Sequence, residues 1–424
     1  MEKDKIGVYT LTGLTVGPIL GSGILILPPM VFNNLKDWSI IAWAVIIIIG
    51  FLFAFIFGHL SILYPGDGGV TNAIEKTLGK YIKILASSYL IMGVVFGSVA
   101  VLVTAAKYVA KLGFATEGFI GYLLAIVFFI LLLMTIKSLG KVVLILSLVS
   151  ASVLLAGGIT TLIIYHTPFL IKSQFQPVRF GHSLLLLVWT ILGWEIIGNY
   201  SAMVKNPKRT IFKSIILSVL LVAIIDLVVV SAMQWSNTSS FWRGEITITT
   251  IVYPIFKDYS SIVVALLTLF LFSATYLLYA GGVIRLIANL SEIKVLPAIF
   301  SRRTKQDAPI YAVITTFIFN LIGMSLIHLN ILNVEKLIAL SNGFFIMNVL
   351  TGILTGILII RNKFVKISGI FLGLVFLALL LYYSSMISLI IILLLAIYFV
   401  YKQLSLRNSQ QKLSVGIREK NNAL

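Results

Sequence analysis

The chain has 424 residues, of which 59% are hydrophobic and only 11% charged, against roughly a quarter charged in soluble domains, so a soluble fold is excluded. It has no cysteine, and its four histidines (His59, His166, His182, His328) lie far apart, which argues against disulfides, thiolate chemistry, a metal centre or a bound cofactor. The formal charge of +18 suggests nucleic acid only until the basic residues are located; in a membrane protein their side matters more than their sum, and no nucleic-acid partner is expected.

The apolar residues fall in runs of about 17 to 25, the length a helix needs to cross a bilayer. The runs lack the alternation of an outer-membrane barrel, and lipid leaves no other way to satisfy the backbone, so they are helices. The sequence predicts spans at 6–29, 38–62, 82–108, 119–136, 142–164, 183–203, 212–233, 261–286, 309–328, 335–359, 367–383 and 385–401. The first run continues past Ile26 without a small-residue cleavage site and reads as a span, not a removed signal. The longest loop, Gln234 to Ser260, carries Trp235, Trp242 and Tyr253 as interfacial anchors. Lys107, Lys111 and Arg285 sit at span ends, where their side chains snorkel to the interface. An even number of spans puts both termini on one side, and 24 of the 32 lysines and arginines fall there, including the basic tail from Lys402 to Lys420. That bias predicts an inner (plasma) membrane protein with both termini cytoplasmic.

Two spans are interrupted. The first reads Leu14 to Leu25 with Gly17, Pro18, Gly21 and Gly23 inside the apolar run, and the sixth sets Gly193, Glu195 and Gly198 beyond Trp189. A broken helix at membrane depth exposes free N–H groups and a positive half-helix terminus, which suit a carboxylate. Corresponding breaks five spans apart point to an inverted repeat with a site at the midplane. The expected architecture is an all-α integral membrane protein of about twelve spans. A five-helix repeat (1–165) precedes an inverted second one (180–360), a terminal helix pair (361–403) and a basic cytoplasmic tail (404–424). Glu195 and Asp226 are the carboxylates within spans, and such costly groups suggest proton coupling.

Four patches resemble the amino acid/polyamine/organocation superfamily of transporters over spans one to ten. They are Gly21-Ser22-Gly23-Ile24, Tyr64-Pro65-Gly66-Asp67-Gly68-Gly69, Val204-Lys205-Asn206-Pro207-Lys208-Arg209-Thr210, and Leu296-Pro297 with Ala308-Pro309. The resemblance implies a permease, exchanger or exporter and no enzyme. It implies that Gly21, Ser22, Gly23 and Ile24 hold a substrate carboxylate, while Trp189, Thr190, Ile191 and Gly193 surround the amino group and side chain. Trp189 matches an aromatic gate, Glu195 an acidic position of many relatives, and Tyr276 and Tyr279 are candidates to line the pocket.

Two departures leave the driving ion open. The fifth span has Ser147 near the place of a coupling lysine, and a sodium site would have to use Ser273 and Thr275. The apolar runs around the breaks favour a neutral or apolar amino acid. An amino-acid-sensing receptor of the same fold and a polyamine or cationic amino acid antiporter are the alternatives. The expected partners are a small-molecule substrate and the bilayer, with the chain a monomer or homodimer.

Overall fold

The computed structural model describes residues 7–64, 69–133, 136–165, 171–194, 204, 206–236, 247–306 and 308–422. The fold is all-helical, with no strand among the described residues. The helices are α1 (Val8–Leu20), α2 (Gly23–Leu35), α3 (Ser39–Leu63), α4 (Gly69–Leu78), α5 (Lys80–Ala110), α6 (Glu117–Leu132), α7 (Ile136–Ile164) and α8 (Pro177–Leu187). They continue with α9 (Pro207–Ser236), α10 (Ile248–Phe256), α11 (Ser260–Glu292), α12 (Ile310–His328), α13 (Val334–Ile359), α14 (Lys363–Tyr383) and α15 (Met386–Asn422).

Nine helical stretches among the described residues are long and apolar enough to cross a membrane. The sequence predicts about twelve spans, and the difference has three physical sources. The first span is split into α1 and α2; the fourth, α6, is 16 residues long; and the sixth loses its helix after Leu187. The short α4 and α10 lie in loops that the span pattern leaves blank. The last apolar stretch is Met386–Ser405, and the α15 helix runs on to Asn422 through the stretch read as a tail.

Polar residues punctuate the apolar helices where the chain leaves the bilayer. Thr116, Asn333 and Asn362 cap α6, α13 and α14 by accepting the amides of Phe119, Lys336 and Phe364. On α14, Ile367, Leu374 and Leu381 recur every seven residues and are all exposed, an outward apolar stripe that water would not tolerate and lipid does. The opposite faces merge into one buried cluster. At its centre α5 packs against α13 and α11, while α9 packs against α3, α7 and α1. Pro28 and Pro29 sit inside α2, and proline cannot donate to the carbonyl four residues back. Pro29 thus frees the Leu25 carbonyl, and Tyr108 of α5 donates to it at 3.3 Å.

Candidate substrate site

The first break lies where the sequence places it. At Gly21 φ is +24° and ψ −133°, a backbone open to glycine and costly for any residue with a Cβ. Its N–H closes α1 on the Gly17 carbonyl at 3.0 Å, and α2 restarts at Gly23. The first amides of α2, those of Gly23 and Ile24, therefore lie where a helix leaves N–H groups without an intrahelical acceptor. Ser22 is pinned from both sides. Its N–H donates to Thr275 Oγ1 of α11 at 2.9 Å, and its Oγ accepts the Trp189 indole N–H at 3.1 Å. Thr275 in turn donates to the Leu271 carbonyl at 3.0 Å, so its hydroxyl proton and one lone pair are both engaged.

The second break follows α8. Val188–Ile191 forms a tight 3-10 turn, Leu192 is extended, and Gly193 takes φ +117°. Ending a helix inside the protein orphans its last carbonyls, which a buried fold must satisfy. Asn342 of α13 does this, its side-chain amide donating to Leu185 and Leu186 at 2.8 and 3.0 Å. Thr190 Oγ1 donates to the Leu187 carbonyl at 2.8 Å.

Beside the second break lies a cavity walled by α5, α11, α13 and the broken sixth span. Trp189, Tyr276 and Tyr279 line it together with Gly97, Ser98 and Phe345. Its free volume is about 30 Å³, room for one or two waters, so admitting a larger solute requires the walls to part. Tyr276 is held in place. Asn320 Nδ2 donates to its Oη at 2.5 Å, Ser98 Oγ donates to Asn320 Oδ1 at 2.6 Å, and the Phe128 ring stacks on it at 4.7 Å. This leaves the phenol proton available to the cavity.

The remaining candidates divide. Gly23 packs against Trp189 and Thr190, and Gly193 faces Ile19 and the Tyr279 hydroxyl, but none of Gly21, Ser22, Gly23, Ile24 and Gly193 is among the residues lining the cavity. Ile24 is buried in the core. The side chains of Thr190 and Ile191 line a second, smaller cavity behind the broken segment, bounded by Gly50 and Phe51 of α3, Trp194, and Asp226 of α9. Asp226 is buried there. Glu195 lies outside the described residues. Ser147 is buried with its Oγ against Gly17 and without a hydrogen-bond partner among the described residues.

Gly97, Ser98, Phe345 and Asn342 are absent from the sequence reading. One signal was present: Gly93 and Gly97 are four apart on α5, a small-residue spacing that lets neighbours come close. The Phe345 ring lies over Gly93 and the Trp189 indole over Gly97. Glu335 Oε1 receives Asn34 Nδ2 at 3.3 Å and faces His182 Nε2 at 3.0 Å, joining α2, α8 and α13.

A profile of the family described as amino acid permease matches residues 6–414, nearly the whole chain. The chain belongs to the amino acid permease family. Its relatives are transporters and not enzymes. The permease is 23% identical to the putrescine transporter PotE of Escherichia coli K12 over 338 residues, 75% of this chain and 74% of that one. It is 22% identical over 378 residues to the L-methionine/branched-chain amino acid exporter YjeH of the same strain, 85% of this chain and 88% of that one. The cadaverine/lysine antiporter of that strain is 24% identical over 222 residues, about half of each chain. The permease is thus a multi-pass membrane protein of a family of amino acid transporters.

Proposed function

We propose that this permease is a secondary transporter of neutral, apolar amino acids working by alternating access, in the cell membrane with both termini cytoplasmic. The observation that carries the proposal is the cavity beside the broken sixth span, two of whose lining residues, Trp189 and Thr275, hydrogen-bond Ser22 of the first break. The amides after Gly21 offer a carboxylate site at a positive helix end, and carbonyls of the unwound sixth span offer acceptors for an ammonium group. The lining supports the choice of solute. Val94, Val101, Leu192, Ala280 and Phe345 are apolar, and among the described residues no carboxylate faces the cavity to balance a second positive charge. This favours a substrate like that in the name of the exporter relative over a diamine.

The two halves support an inverted repeat, with α3 packed on its proposed counterpart α9 and α5 on its proposed counterpart α11. Coupling to protons rests on Glu195 and Asp226, since ionisable groups within spans are expensive and are retained for function. Asp226 supports this reading by its position directly behind the unwound segment.

The test is uptake of labelled leucine, methionine, lysine and putrescine into proteoliposomes, with and without a proton gradient. Leucine or methionine should move, and lysine and putrescine should not. Uptake of putrescine alone would make the protein a polyamine carrier, and binding without flux would make it a sensor. Glu195→Gln or Asp226→Asn should remove the gradient dependence and spare exchange; unchanged coupling in both would end their proposed role.

A further inference from the structure

On the side of the termini, the C-terminal end of α3, the start of α9 and the end of α13 enclose a groove of about 990 Å³ that shares no lining residue with the cavity beside the breaks. Its wall is largely apolar, formed by Ile62, Leu63, Phe212, Ile359 and Ile360, and its rim carries Lys208, Arg209, Lys213 and Arg361. Lys208 and Phe212, and Arg209 and Lys213, are each four apart on α9, so the cations and the ring share one side of that helix.

This charge arrangement is unfavourable for the protein alone. Arg209 and Lys213 repel at one-turn spacing, and cations at a helix start oppose the positive end of its dipole. The first turn of α9 holds no acid, and among the described residues none of the four cations has an ion-pair partner. An anion supplied from outside would relieve both costs. The surroundings say which anion. Leu63, Phe212 and Phe364 are exposed beside the groove, and Phe55 gathers His59, Phe212 and Phe364 within 4.6 to 5.7 Å in an aromatic cluster. Charge at the rim of an apolar groove, at the end of three spans, matches a molecule with a phosphate head and a hydrocarbon tail.

We propose that this groove binds an anionic phospholipid of the leaflet on the side of the termini, its phosphate held by Lys208, Arg209, Lys213 and Arg361 and its acyl chain lying on Phe212 and Leu63. The site adds a lipid ligand to a protein whose relatives are described by their solutes, and does not depend on which solute is carried.

The experiment uses the full chain in detergent and measures lipid binding by native mass spectrometry and thermal stabilisation. The probes are phosphatidylglycerol, cardiolipin, phosphatidylcholine, and inorganic phosphate at millimolar concentration. Anionic lipids should bind and stabilise, while phosphatidylcholine and free phosphate should not. The triple variant Lys208→Gln, Arg209→Gln, Lys213→Gln should lose roughly a hundredfold in apparent affinity for phosphatidylglycerol, about fivefold per cation. Arg361→Gln alone, the second variant should the triple not fold, should lose about fivefold. The control Lys363→Gln, Lys366→Gln, two exposed cations on α14, should bind as wild type. Equal stabilisation by phosphatidylcholine, or an unchanged affinity in both groove variants, would overturn the proposal. Reproduction of the effect by inorganic phosphate would replace it with a soluble-anion site.

Discussion

Replacing Gly97 with alanine probes the cavity wall with a single methyl group. A Cβ at that position would lie 2.6 Å from Trp189 Cη2, 2.8 Å from Cζ3 and 3.0 Å from Ser341 Oγ. Carbon atoms in contact settle near 3.5–4.0 Å, so the indole must retreat by about 1 Å. It has little freedom to do so, because Nε1 is bonded to Ser22 and Cδ1 already lies against Gly23. Overpacking of this kind costs about 1–3 kcal/mol, and losing the Ser22 bond costs about 0.5–1.5 kcal/mol. If half or more of that falls on the substrate-bound state, apparent affinity drops on the order of tenfold. The measurement is a double-mutant cycle with Trp189→Phe, read by substrate-dependent thermal stabilisation and by uptake. Phenylalanine has no atoms where Cη2 and Cζ3 lie, so alanine at 97 should be tolerated in that background, with a coupling of about 1–3 kcal/mol. Additive effects within about 0.5 kcal/mol, or a Gly97→Ala protein with wild-type affinity, would refute the stacking of Trp189 on α5 as a determinant of the site.

Three further outcomes follow from the hydrogen bonds around the breaks. Thr275→Val keeps the shape but leaves the Ser22 amide without its acceptor, at a cost of about 1–3 kcal/mol, whereas Thr275→Ser should keep the stability; equal melting temperatures for the two variants would contradict this. Asn342→Leu removes the side-chain donor from the Leu185 and Leu186 carbonyls, which keep the Val188 amide, and should lower thermal stability more than Asn348→Leu, which removes a donor from one carbonyl within α5; the reverse order in a detergent melt would show that Asn342 does not hold the break. Glu335→Gln loosens the contact joining α2, α8 and α13. Both partners of the His182 contact are about one-third exposed, so the stability change should stay below about 1 kcal/mol. Accessibility of a cysteine placed at Asn34 to an impermeant thiol reagent should rise, and an unchanged labelling rate would show that this contact does not limit access to Asn34.

The legibility of this protein in its sequence divides by the range of the interactions. Span position is a local quantity, since each helix must satisfy its own backbone in lipid, and α3, α5, α9, α12, α13 and α14 end within a few residues of the hydropathy pattern. The breaks are local too. Gly21 and Gly193 occupy positive φ, a conformation that glycine alone adopts cheaply, so their identity carries the geometry. The sixth-span candidates were harder, because hydropathy does not say which side of an unwound segment a residue faces. Trp189 turns to the main cavity, while Thr190 and Ile191 turn to the space beside Asp226.

The sequence by itself determined a polytopic helical membrane protein and its two interrupted spans, because bilayer length and glycine backbone freedom act over neighbouring residues. Only the tertiary structure decided that Thr275 caps Ser22, that Asn342 holds the end of α8, and that Gly97 makes room for Trp189. Each of these joins residues more than ninety positions apart, and such pairs are selected by packing and by the need to satisfy buried polar groups, neither of which leaves a periodic trace along the chain.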